Sequence, residues 1–235
     1  YGHHFPFGEM ALAYVLGQSL SGRDEIRTLN LGAYLEQYPP LRKVQIHEPS
    51  SWSCAHGVER WRSNCGCTTG GRPEWDQRWR KPLRDGLDLV KKGLDEHYFA
   101  LAPSLMRDPK AALLDYGRVL AKSVEPEAFA KEHFSTCDEK KAQNAWRLLA
   151  MQQWGLAMFA SCGWFFDELS RLEPLNDLTF ALRAMTLCQA TGGPDLQPAL
   201  LEIMAEAKAN MPGKGTGRDL FLNEVLPRMD TGASI

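Results

Sequence analysis

Apolar residues recur at three- and four-residue spacing along most of this chain, the signature of amphipathic helices with one buried face. Met10, Leu12, Ala13, Leu16 and Leu20 predict a helix over Gly8–Leu20. Asn30 is placed to cap a short second helix through Tyr38, which Pro39-Pro40 ends. The broadest stripe runs through Trp75, Trp79, Leu83, Leu87, Val90, Leu94 and Tyr98. It predicts a long helix from Pro73, with Pro82 either kinking it or marking its true first turn. Asp108-Pro109 opens a helix to about Lys122, and a short one follows over Glu125–Phe134. Asp138 starts a long helix through Cys162, interrupted at Gly163 and continuing through WFFDEL. Pro174–Gln189, Leu196–Asn210 and Arg218–Met229 complete the set, with Gly192-Gly193-Pro194 as a stop signal. Only Lys43–His47 (KVQIH) alternates like a strand. The expected fold is mainly α, a multi-helix bundle with little or no strand.

One stretch does not fit a helix. Ser50–Gly71, SSWSCAHGVERWRSNCGCTTGG, holds three of the six cysteines, two of the seven tryptophans and one of the six histidines. Cores favour aliphatic side chains, and a merely soluble loop has no use for such residues. This stretch reads as a site held in place by the helices.

Composition narrows the function. The chain has 235 residues, a formal net charge of −2 and an ordinary apolar share of 44%. Nothing in that balance recruits nucleic acid or an anionic membrane. No apolar run reaches the roughly 18 residues of a membrane span. The cysteines sit in a chain too rich in core residues to need a disulfide frame, which favours a cytoplasmic, reducing location. The first residues, YGHHFPFGE, are dense in motif-like types and suggest a piece of a longer protein.

Three chemistries compete for the special stretch. Cys54, His56, Cys65 and Cys67 have the donor types that Zn²⁺ takes in closed sites, with Cys162 as a substitute for His56. Their C-x-H-x8-C-x-C spacing is not a common finger or ribbon pattern. Packed reduced thiols, or a Cys54–Cys65 disulfide, are the alternatives. Sugar binding is the second: Trp52, His56, Arg60 and Trp61 supply stacking faces and polar forks, and Trp164, Asp167 and Glu168 form a second cluster. On a helix Trp164 and Glu168 would share a face. Core packing is the competing reading for the tryptophans. Paired-carboxylate catalysis is the third, and Asp167 and Glu168 diverge too far on a helix to flank one bond; Glu9 and Glu59 are not indicated as partners.

Long motifs carry a resemblance. YGHHFPFGEMALAY resembles the segment that closes the barrel in certain bacterial proteins of glycoside hydrolase family 57. SSWSCAHGVERWRSNCGCTTGG and MFASCGWFFDELS resemble signature runs of the helical domain of unknown function that follows that barrel. The resemblance covers nearly the whole chain. It implies the end of a barrel with connecting helices over residues 1–42 and a C-terminal helical domain over 43–235. It also implies a retaining α-glucan hydrolase or transferase whose two catalytic carboxylates lie outside this sequence. The chain alone is then catalytically inactive, and its partners are an α-glucan and the barrel. Tyr1, Gly2 and His4 match the barrel motif, which makes His4 a sugar-contact candidate; His3 stands where many members carry Glu. Trp52 or Trp61 is the candidate for the tryptophan that the family's bundle lends to the cleft. LEPLNDLTFALRA departs from the run expected after FFDE.

Overall fold

The computed structural model describes residues 7–21 and 28–230. The chain divides into two compact units, residues 1–47 and 48–235. In the first, α1 (Gly8–Leu20) and α2 (Leu31–Gln37) form as the sequence predicts. Asn30 caps α2, its side-chain oxygen accepting from the Ala33 amide at 2.8 Å. Met10, Leu16, Tyr34 and Leu35 are exposed in this unit. The alternation at Lys43–His47 forms no strand: those residues run as irregular chain without a β-partner. Alternation specifies a strand only where a neighbouring edge takes up its backbone groups.

The second unit is helical. Its elements are α3 (Arg80–Leu101), α4 (Pro109–Asp115), α5 (Gly117–Leu120), α6 (Pro126–His133), α7 (Glu139–Ala157), α8 (Leu172–Ala190), α9 (Gln197–Met204), α10 (Gly217–Leu220) and α11 (Leu226–Asp230), the last two joined by a π-turn over Phe221–Val225. Among the described residues there are isolated bridges and no sheet. The architecture is the mainly α bundle that the spacing predicts. No helix of the described residues is long and apolar enough to cross a membrane.

Helix α3 is the central element, packed against α7, α8 and α9. Leu83, Leu87, Val90, Leu94 and Tyr98 on one stripe are fully buried. The helix begins at Arg80 rather than Pro73. Pro82 lies in its first turn, where a missing N–H costs nothing because those amides have no intrahelical acceptor. Gly93 lets α3 approach the start of α9, since a Cβ there would lie 2.6 Å from Leu196 Cδ2. Asp108 and Asp138 cap α4 and α7 as expected, each accepting from backbone amides of the first turn.

Two predicted helices are shorter than the pattern suggests. Residues 205–216 leave the helical path after α9, tied by a Lys208–Thr216 bridge. The segment after α7 is the more informative departure. A 3₁₀ turn at Ser161–Trp164 is followed by irregular chain through Arg171, so WFFDEL is not helical. The carbonyls of Phe165 and Phe166 accept instead from two buried arginines, Arg60 and Arg80. Carbonyls turned toward those donors cannot close a helical ladder.

Candidate metal centre

Four tight turns shape the loop between residues 50 and 71. Ser51 pairs with Cys54 across the first, and Ser51 Oγ donates to the Gly57 carbonyl at 2.7 Å. Gly57 adopts φ 80°, and a Cβ there would stand 3.0 Å from the Pro49 carbonyl oxygen. Gly66 adopts φ 76° between Cys65 and Cys67. An extended C-x-C pair would still aim both thiols to one side but spread them along the chain; the left-handed residue folds them together instead.

The result is a cluster of one thiol, one imidazole and two further thiols. Ligand atoms of Cys54, His56, Cys65 and Cys67 all lie within 4.8 Å of one another. Cys54 Sγ stands 4.0 Å from Cys65 Sγ and 3.8 Å from Cys67 Sγ, and Cys67 Sγ stands 3.5 Å from His56 Nδ1. The four residues can hold a metal ion. With bonds of about 2.3 Å to sulfur and about 2.0 Å to nitrogen, a tetrahedral zinc site has edges of about 3.8 Å between sulfurs and about 3.5 Å from sulfur to nitrogen. The observed separations match those edges. They are far too long for a disulfide, and all six cysteines are free. Cys162, the substitute ligand the sequence allowed, is exposed and lies outside the cluster.

Burial raises the Cys54 thiol, but hydrogen bonds from the Arg60 and His56 amides and from the Cys67 and His56 side chains outweigh it and bring it to about 7. Burial, with the neighbouring sulfurs of Cys54 and Cys65, pushes Cys67 up. A thiol lowered in this way is closer to the deprotonated form that a metal requires.

The loop is anchored from the other side of the bundle. Asp167 Oδ2 accepts from Thr68 Oγ1 (2.7 Å), the Thr69 amide (2.8 Å), Thr69 Oγ1 (3.0 Å) and the Gly71 amide (3.1 Å). Burial raises this carboxyl, yet those donors hold it below the usual range. Glu168 reaches the opposite way, accepting from Ser170, Asn210 and Met211. Asn210 Nδ2 donates to the carbonyls of both Asp76 and Asp167 at 2.7 Å. Trp164 Nε1 donates to the Arg80 carbonyl at 3.1 Å.

These contacts correct the sugar-facing cluster expected of Trp164, Asp167 and Glu168. All three are at most 3% exposed. Trp164 and Glu168 share no helical face, because their segment is not a helix. Arg60, 3% exposed, is likewise committed: it donates to the Ser53 carbonyl and to the Phe165 carbonyl, under the Phe165 ring. Side chains closed off and fully engaged in this way offer nothing to a ligand on this surface. Trp61 is half-buried, its indole N–H bonded to the Ser161 carbonyl at 2.9 Å. Trp52 is 81% exposed, its ring 5.6 Å from that of Phe165. His56 is exposed beside the thiols. His3 and His4 lie outside the described residues. Glu59 is engaged with Arg62 and Ser63.

Two buried groups escaped the sequence reading. Arg80 continues the apolar stripe of Leu83, Leu87, Val90 and Leu94, and a cation at such a position was the available signal. Asp177, on α8, is fully buried with neither carboxylate oxygen hydrogen-bonded.

A family model described as Domain of unknown function (DUF3536) matches residues 75–235. The chain belongs to the DUF3536 family. No curated protein and no solved structure matches it. Within the DUF3536 region lie Arg80, Trp164, Asp167 and the whole helical core, whereas Cys54, His56, Cys65 and Cys67 precede it.

Proposed function

We propose that residues 50–71 form a structural zinc centre, ligated by Cys54, His56, Cys65 and Cys67, that fixes an aromatic surface onto a DUF3536 helical bundle. The observation that carries this reading is the set of donor separations, 3.5–4.0 Å, which are tetrahedral edges. Four protein ligands close the coordination sphere, so the ion stabilises the loop and leaves no open position for a substrate. Elemental analysis of protein purified without chelator tests it, alongside a thiol count in the native chain. The expected result is about one zinc per chain, with three thiols protected until chelator is added. A metal-free chain whose melting temperature does not respond to added zinc refutes it.

A second part of the proposal concerns what the surface meets. On its resemblance to the helical part of family 57-like proteins, the chain shapes an α-glucan cleft beside a barrel domain and cleaves no bond itself. The exposed Trp52 ring, backed by Phe165, supports this, because an aromatic face of that kind stacks on a sugar ring. Calorimetric titration with malto-oligosaccharides, comparing the chain with Trp52→Ala, separates the two parts. Binding lost in the variant supports the sugar surface. No binding by either protein refutes the sugar role and leaves the zinc centre standing.

A further inference from the structure

Arg80 is the least explained side chain near the centre. It is fully buried, and its Nε has no hydrogen-bond partner. Nη1 donates to the Cys67 carbonyl at 3.0 Å and approaches Cys65 Sγ at 3.9 Å. Nη2 donates to the Phe166 carbonyl at 3.2 Å and reaches the Phe165 carbonyl at 3.5 Å. Its one carboxylate neighbour, Asp167 Oδ1, stands 3.6 Å away, an ion pair too long to be a hydrogen bond. Asp167 turns its other oxygen to the Thr68–Gly71 turn.

A second buried cation adds to the imbalance. Arg60 shares the Phe165 carbonyl with Arg80, at 2.6 Å, and its other partners are the Ser53 carbonyl and the Phe165 ring. Glu168, next to Asp167, is committed to Ser170, Asn210 and Met211. Two guanidiniums thus share one nearby carboxylate, in a place where an unpaired charge is costly. Three thiolates, one neutral imidazole and one divalent cation carry a net charge of about −1. A centre of that charge beside Arg80 restores local neutrality.

We infer that Arg80 is a positioning residue for the metal centre: its guanidinium is the counter-charge and N–H donor of the thiolates, and it ties metal loading to the seating of the loop on α3. This rests on the zinc reading above. Arg80 does not touch the metal; it acts through Cys65 and through the Cys67 carbonyl.

The test uses the full chain, loaded with cobalt(II) and then competed with zinc against a chromophoric chelator. Wild type, Arg80→Met and Arg80→Lys are compared, with far-UV circular dichroism to verify folding. Loss of a partner of this kind weakens metal affinity about 10- to 100-fold. That loss is expected for Arg80→Met, together with a shift of the thiolate-to-cobalt charge-transfer band to lower energy, since an N–H donor stabilises the sulfur lone pairs. Arg80→Lys keeps the charge and is expected to stay within about threefold of wild type, on the same reasoning. Were Arg80 merely a tie between carbonyls, Met and Lys would lose affinity equally, because neither reproduces the guanidinium fork.

A folded Arg80→Met chain with wild-type affinity and an unmoved band overturns the inference. So does equal weakening in both variants. If Arg80→Met does not fold, Arg80→Lys decides: near-wild-type affinity supports the counter-charge, and a tenfold loss in the folded variant overturns it. Failure of wild type to bind cobalt or zinc at all refutes the zinc centre itself, an outcome distinct from each of these.

Discussion

Asp177 sets up a pH experiment with a calculable slope. Its carboxyl lies on α8 with no exposed surface and no hydrogen-bond partner on either oxygen. The site exists because residue 163 is glycine: a Cβ there would collide with Asp177 Oδ2. Burial pushes the carboxyl up to about 9, against 3.8 in the unfolded chain. The folded state therefore holds a proton that the unfolded state releases between those values. Stability from this group is fully present below 3.8 and is lost as the pH rises toward about 9.

Each pH unit in that window is worth about 1.4 kcal/mol. At pH 7, about three units above the unfolded value, Asp177 removes about 4 kcal/mol relative to acid conditions. That is a large part of the roughly 5–15 kcal/mol that holds a domain folded. Asp177→Asn cannot ionise. Its amide N–H₂ lacks an acceptor, which costs about 1–3 kcal/mol at every pH and offsets the stability line without tilting it. Urea unfolding of both proteins at pH 5, 6, 7 and 8 gives the difference directly, and titrations common to both cancel. The variant should gain on wild type by about 1.4 kcal/mol per pH unit across this range. A difference that stays flat refutes the reasoning, for it means that Asp177 does not hold its proton against water.

The same contact predicts a coupling. Gly163→Ala should destabilise wild type by about 1–3 kcal/mol through overpacking, and by at least about 1 kcal/mol less in an Asp177→Ala background; additive costs in a denaturation cycle would dismiss the clash. Asp167→Ala should cost about 3–5 kcal/mol, since it strips a buried partner from Arg80 and the acceptor from the Thr68–Gly71 turn. Thiol-labelling rates in the metal-free chain should rise at Cys65 and Cys67 in that variant, and unchanged rates would show that the turn holds without its anchor. Thr216 and Asp219 form a reciprocal capping box at α10; Thr216→Ala should lower stability by about 1 kcal/mol, read from the urea midpoint.

The helices were legible because their signals are local. Apolar spacing, Asn30, Asp108 and Asp138 at helix starts, and Pro82 in a first turn each act within a few residues. The donor types of the metal cluster were legible for the same reason: a C-x-C pair around a glycine is a short-range fact. The misreadings come from long-range partners. Nothing within WFFDEL says that its carbonyls will be taken by Arg60 and Arg80, which stand 105 and 86 residues away in the chain. Without those donors, Trp164 and Glu168 at helical spacing looked like a face. With them, Trp164 is a wall of the core and Asp167 is a peg for the loop.

This explains why the polar residues of CGWFFDE and the cysteines of the 50–71 loop belong to one structure rather than to two sites. A loop of small and polar residues cannot bury enough apolar surface to fix itself. It can be fixed by bonds that reach into a core, and here those bonds are Asp167 to the turn at Thr68–Gly71 and Arg80 to Cys65 and Cys67. Both anchors require buried charge, which a helical bundle tolerates only when the charges meet partners. Arg80 takes the place of an apolar residue on the stripe of α3, and Asp167 sits where a helix would otherwise have continued. The bundle therefore gives up regular structure at the one place where it grips the loop, and the grip lies behind the thiols rather than in front of them. That arrangement leaves the outer face to Trp52 and His56. A ligand or partner chain that meets this surface meets those residues, while the tryptophan and carboxylates of CGWFFDE act only through the position of the loop.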